Sequence, residues 1–118
     1  MPKTLPVLNV SSPVRCAPLA AGTMTMATAL QVALRMRALG EPVRVRLLSL
    51  VLAAGDGGIC TRDLAPAVAL TESTVSHHLG KLRDAGLVEG TRAGMNVYYR
   101  PVLSSLAALC RVIDPECC

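Results

Sequence analysis

Leu70-Thr-Glu-Ser-Thr-Val-Ser-His-His-Leu-Gly-Lys-Leu-Arg-Asp-Ala-Gly-Leu-Val88 is the stretch whose reading decides the fold. Val75, Leu79 and Leu82 stand at i, i+4 and i+7, so one side of a helix can bury itself. Ser73, Thr74, Ser76, His77, Lys81 and Asp84 fall on the other side. Thr71 sits where an N-cap belongs, because its hydroxyl can accept from a free first-turn N–H. Gly86 follows the periodic run, as a helix-terminating residue should. Apart from Asp84, the outward set is short donors, an imidazole and a cation, which suits phosphates and base edges. The segment therefore reads as a helix that enters a DNA groove and runs into the first strand of a wing.

Working upstream, residues 59–68 supply a short positioning helix, the first half of a helix-turn-helix pair. Pro66 lies about one turn in, where it removes a hydrogen bond, so this helix is expected to be short or bent. Two further helices are expected over about 26–39 and 42–53. Gly40 closes the first, and Pro42 suits the first turn of the second. The first shows a loose stripe of Leu30, Ala33, Leu34, Arg37 and Ala38; the second buries Val43, Leu47, Leu48 and Val51. Arg44 and Arg46 lie elsewhere on the second helix, as a solvated face or in pairings within the subunit. Residues 55–58 are a loop.

Downstream, residues 87–91 and 96–100 read as two strands joined by a turn over 92–95, which puts Arg92 at a basic tip. A last helix is expected with Pro101 in its first turn. Its apolar face, Val102, Leu103, Leu106, Leu109, Cys110 and Ile113, is too broad for a monomer to cover, which points to a homodimer. The expected architecture is mainly α with a small β wing, a winged helix-turn-helix. Residues 1–23, with Pro2, Pro6, Pro13 and Pro18, are expected to form an extended arm. Residues 24–118 form the DNA-binding and dimerisation domain.

The 118 residues suffice for one compact domain. Hydrophobic residues make up 52%, yet there is no Phe or Trp and only two Tyr, so the core must be aliphatic. The net charge of +4 fits an anionic partner. No apolar run reaches the roughly 18 residues of a membrane span, and no secretory h-region is read, so a cytoplasmic setting is expected. Five cysteines, at 16, 60, 110, 117 and 118, are an odd number without a secreted disulfide spacing. In a reducing cytosol they are free thiols, available as soft ligands. No CxxC and no phosphate-cradling loop adjoins a cysteine, which argues against a thiol enzyme. His77 and His78 point about 100 degrees apart on a helix and do not share one metal easily. His77 reads as a DNA contact and His78 as partly packed.

With Ala38-Leu-Gly-Glu-Pro-Val-Arg44, Thr74-Val-Ser-His-His-Leu79 and Lys81-Leu-Arg-Asp-Ala-Gly-Leu-Val88, the chain resembles the ArsR/SmtB family of metal- and metalloid-responsive repressors over about residues 26–113. The resemblance implies a winged-helix homodimer that binds palindromic operator DNA and releases it when a toxic ion binds. Ser73, Thr74, Ser76, His77, Lys81 and Arg92 are the expected DNA contacts. One common family site uses Cys-Val-Cys-Asp-Leu on the positioning helix. The matching segment here is Cys60-Thr-Arg-Asp-Leu64, with Arg62 in place of the second cysteine. Other members add cysteines from the partner's N-terminal arm, and Cys16 matches that theme by location. The resemblance thus implies trivalent arsenic or antimony held by Cys16 of one subunit with Cys60 of the other; Cys117 and Cys118, adjacent in sequence, are candidates for a second or third sulfur, singly or together. Cadmium or lead as the inducer, and thiol oxidation as the signal, are the alternatives. The family's zinc site on the last helix is not matched, because residues 101–113 contain no His and no Glu.

Overall fold

The computed structural model describes residues 22–114, which form five helices and three strands. In chain order these are α1 (Met26–Leu39), α2 (Pro42–Ala53), β1 (Ile59–Cys60), α3 (Thr61–Val68), α4 (Glu72–Asp84), β2 (Val88–Ala93), β3 (Asn96–Pro101) and α5 (Leu103–Ile113). The expected arm, residues 1–23, lies almost wholly outside the described residues.

Local chemistry sets the helix ends. The Thr25 hydroxyl accepts from Thr28 N–H at 3.2 Å and starts α1. Gly40 closes it, and Pro42 opens α2 behind a Glu41 cap. Thr71 caps α4 by accepting from Thr74 N–H at 3.2 Å. Glu72 lies in the first turn of α4 and Lys81 and Arg83 in the last, each favourable to the helix dipole. The helix ends in a Schellman pattern: Gly86 N–H reaches Arg83 O at 2.8 Å and Leu87 N–H reaches Leu82 O at 3.0 Å. Gly86 has φ 74°, which a side chain would resist. The tight turn between α3 and α4 uses the same device without a glycine, since Ala69 has φ 56°.

The core is aliphatic. Leu47 and Val51 of α2, Leu64 of α3, and Val75, Leu79 and Leu82 of α4 are fully buried, with Leu87 beneath the start of the wing. Tyr99 is the aromatic member of this cluster. Val43, expected in the core, is only partly buried against it.

The structure corrects several boundaries. The wing is a three-stranded antiparallel sheet of order β1-β3-β2, because Ile59 and Cys60 pair with Tyr99 and Tyr98. A two-residue strand is too short to show a period in sequence. The β2–β3 ladder runs from Val88↔Pro101 to Ala93↔Asn96, so the hairpin turn is Gly94 and Met95 alone. Arg92 is therefore not at the tip but on β2, opposite Val97. Pro101 ends β3 instead of opening the last helix, and Val102 takes the cap position. A proline is tolerated there because it lies at a strand end.

On α1 the inward side also differs from the expected stripe. Arg35 and Ala38 are buried, Val32, Met36 and Leu39 pack on the core, and Ala33 is exposed. Arg35 donates through Nη1 to Gln31 O at 3.0 Å and to Gln31 Oε1 at 3.2 Å. Burial lowers its pKa from the ordinary value. On α5, Ser105, Ala108, Leu109 and Val112 are buried, whereas Leu103 and Ile113 are each 65% exposed.

The Schellman end of α4 generates a stability expectation. Gly86→Ala should lower unfolding free energy by about 1 kcal/mol, read as a lower midpoint in chemical denaturation. An unchanged midpoint would show that the left-handed residue is not needed to stop the helix.

Candidate nucleic-acid interface and thiol site

Burial of Val75, Leu79 and Leu82 fixes which side of α4 faces outward. Ser73, Thr74, Ser76, His77 and Lys81 are all exposed, on the side the sequence assigned to them. A shallow hollow of about 420 Å³ runs along this side, lined by Ser73, Ser76, His77, Lys81 and Asp84 among others. Thr74 is less free than its exposure suggests. Its hydroxyl accepts from Thr71 Oγ1 at 2.9 Å, so part of its hydrogen-bonding capacity serves the cap.

Arg83 also lines the hollow, and the sequence reading passed over it. Among the described residues its ion pair is with neighbouring Asp84, 3.7 Å away and solvent-exposed, an arrangement worth little. A cation in the last turn of a reading helix was the available signal. On the wing, Arg92 is exposed on β2. Arg100 donates through Nη2 to Thr91 Oγ1 at 2.6 Å and lines a second hollow of about 310 Å³ with Gly57 and Tyr98. Arg100 was likewise missed, because a strand residue gives no sign of which face it takes until the register is known.

Polar ties hold the helix-turn-helix to α2. Arg46 donates through Nη2 to Ala67 O at 2.9 Å, near the end of α3. Arg44 donates through Nε to His78 Nδ1 at 3.1 Å. Both arginines thus form pairings within the subunit, and His78 is partly packed, unlike exposed His77. The two rings meet edge-on with centroids 6.2 Å apart.

Cys60 sits at the junction of β1 and α3, in the cap position of the positioning helix, and is 1% exposed. Its Sγ donates to Asp63 Oδ2 at 3.3 Å. Asp63 itself is exposed, so the buried thiol has a proton acceptor open to solvent on its outer side. Cys16, Cys117 and Cys118 lie outside the described residues. Cys110 departs from the expectation of free thiols: it is disulfide-bonded. Among the described residues Cys60 is the free cysteine, and no three His, Cys, Asp or Glu side chains cluster as a metal site. The described part therefore offers a soft ion one sulfur and one adjacent carboxylate. Trivalent arsenic is held by two or three thiolates, more than this described part offers.

Residues 41–90, from the α2 cap into β2, match the model of the bacterial regulatory proteins of the arsR family. The crystal structure of the AntR antimony-specific transcriptional repressor is 36% identical to this chain. The match covers 72% of this chain and 76% of that one, with a TM-score of 0.60. The chain belongs to the ArsR family. A second solved structure is the homodimeric winged helix-turn-helix DNA-binding domain of a Mycobacterium bovis protein. It is 34% identical, with a TM-score of 0.57, over 69% of this ArsR-family chain and 74% of that one. A transcriptional repressor SmtB homolog of Synechocystis is 43% identical over 76 residues, 64% of this chain and 55% of that protein. The chain spans about half the length of the curated relatives it matches. The family is one of regulators, not of enzymes. No described helix is long and apolar enough to cross a membrane.

Burial of Cys60 generates a reactivity expectation. Peptide mass spectrometry after brief iodoacetamide treatment should find Cys60 largely unmodified in the folded protein and fully modified in denaturant. Equal labelling in both states would show that the thiol is open to solvent.

Proposed function

We propose that this ArsR-family chain is a homodimeric transcriptional repressor that grips operator DNA through α4 and the wing. A soft ion bound at Cys60 then releases it. The observation that carries the first half is the capped, inward-locked α4. It leaves Ser73, Thr74, Ser76, His77 and Lys81 outward together, with Arg92 on the neighbouring strand. Hydroxyls and an imidazole are suited to base edges, and Lys81 and Arg92 to phosphates.

Dimerisation is supported by Leu103 and Ile113, exposed on α5, by Met26, exposed on α1, and by the homodimeric state of the M. bovis domain. Two reading helices related by a two-fold axis then call for an imperfect palindrome with half-sites about 10 bp apart, or a multiple of that.

For the inducer we favour trivalent arsenic or antimony. The buried Cys60 thiol on the positioning helix supports this, as does the likeness to an antimony-specific repressor. Cys60 of one subunit is joined in this reading by Cys16 of the other, with Cys117 or Cys118 as a further sulfur. Asp63 takes the thiol proton when the ion arrives. Tying the arm to the positioning helix favours a dimer whose reading helices no longer match the groove spacing. This reading takes a cytoplasmic setting that keeps the ligand thiols reduced. The second reading, resting on the five cysteines, is that thiol oxidation is itself the signal.

The test is fluorescence anisotropy on a duplex selected from a random library, titrated with arsenite, antimonite, cadmium, lead and zinc. Arsenite or antimonite should weaken binding about 5–150-fold. Cys60→Ser and Cys16→Ser should each abolish the response while still binding duplex. Wild-type responses from both variants would overturn the site, and release by cadmium or lead alone would overturn the choice of ion. Release by peroxide with no ion present would favour the redox reading. A chain that ignores duplexes at modest ionic strength would overturn the function itself.

A further inference from the structure

Three helices meet at one side chain. Arg44, in the first turn of α2, donates through Nε to His78 Nδ1 in the middle of α4 at 3.1 Å. Its Nη1 donates to Ala38 O, near the end of α1, at 3.4 Å. Its backbone N–H donates to Glu41 Oε2 at 3.2 Å, the contact that caps α2. The same carboxylate oxygen stands 3.9 Å from His78 Nδ1, and the His78 side chain is only 16% exposed. A guanidinium offers donors and no acceptor, so Nδ1 must present a lone pair and the ring proton must sit on Nε2. The Arg44–His78 bond therefore exists only while the imidazole is neutral.

We propose that His78 is a positioning residue: its neutral ring, held by Arg44, sets α4 against α2, and protonating it loosens the grip on the duplex. The inference rests on the duplex-binding reading above. A proton at Nδ1 removes the acceptor and sets N–H against N–H and cation against cation. The ring's alternative partner is Glu41 Oε2, 3.9 Å away at the α2 cap, so a protonated Nδ1 exchanges the short Arg44 bond for a longer pull to one side, which shifts α4 against α2. The titratable and charged groups around the ring are Arg44 of α2, Glu41 at the α2 cap and His77 of its own helix. Arg37 of α1, with Arg44, Lys81 and Asp84, lines a hollow of about 230 Å³ beside the latch. An imidazole is the side chain that ordinarily changes charge between about pH 5 and 8. His77 faces outward, and its protonation adds a cation towards phosphate. The two adjacent histidines therefore act with opposite signs, and His77 must be replaced before His78 can be read.

Duplex affinity is measured by anisotropy from about pH 8 to about pH 5.5 at constant ionic strength, with His77→Gln as the reference. The reference should lose about tenfold in affinity on acidification, the worth of one hydrogen bond to a charged group. His77→Gln/His78→Gln should be flat, because an amide oxygen accepts from Arg44 and does not titrate. His77→Gln/Arg44→Leu should be weak at both ends and also flat. An unchanged fall in the His78→Gln double variant overturns the proposal. Long-range proton–nitrogen NMR of the free protein reads the ring directly, and His78 should be the Nε2–H tautomer at high pH. An Nδ1–H tautomer there overturns the latch. The expected tautomer without duplex binding at any pH overturns the duplex reading, and the positioning role with it, while leaving the bond intact.

Discussion

Burial of one side of α4 is the constraint on which the rest depends. Val75, Leu79 and Leu82 are wholly removed from solvent against Leu47, Val51 and Leu64. Each such side chain contributes about 1.5–3 kcal/mol relative to exposure. A rotation of α4 about its axis would forfeit several of these terms at once. The outward residues inherit that rigidity without having to supply it, so hydroxyls and cations can be chosen for a ligand and not for packing.

Packing alone leaves a helix free to slide or tilt slightly, since aliphatic contacts have little direction. Hydrogen bonds supply the direction here. Arg46 reaches the end of α3, and Arg44 reaches the middle of α4, both from the same helix. Thus α2 acts as the ruler for the helix-turn-helix pair, and its own start is fixed by Glu41 and Pro42. The thiol at Cys60 lies at the far end of this assembly, where β1 turns into α3. A ligand that pulls on Cys60 pulls on the positioning helix, which meets both α2 and α4.

Much of this was legible in the residues. Thr71, Gly86, Gly40 and Pro42 are strong punctuation, and α1, α2 and α4 run between such marks. Elements governed by non-local pairing were not legible. β1 exists because Ile59 and Cys60 find Tyr99 and Tyr98 far along the chain, and Pro101 belongs to a strand because Val88 lies opposite. Buried Arg35 lay outside the stripe of Leu30, Ala33, Leu34, Arg37 and Ala38, and its burial is possible because its Nη1 finds acceptors on its own helix one turn back. The outward set on α4 was readable from period alone. The partnership of Arg44 with His78 joins residues that only the assembled fold brings together, so spacing gave no hint of it.

The register of the small sheet carries one more consequence, an optical one. Cys60 lies opposite Tyr98, and Ile59 opposite Tyr99, and these two phenols are all the aromatic rings the chain has besides its histidines. With no indole present, ultraviolet emission comes from a single dipeptide directly across the strand from the buried sulfur. Any change at that sulfur is therefore placed to alter this light, with no dye attached.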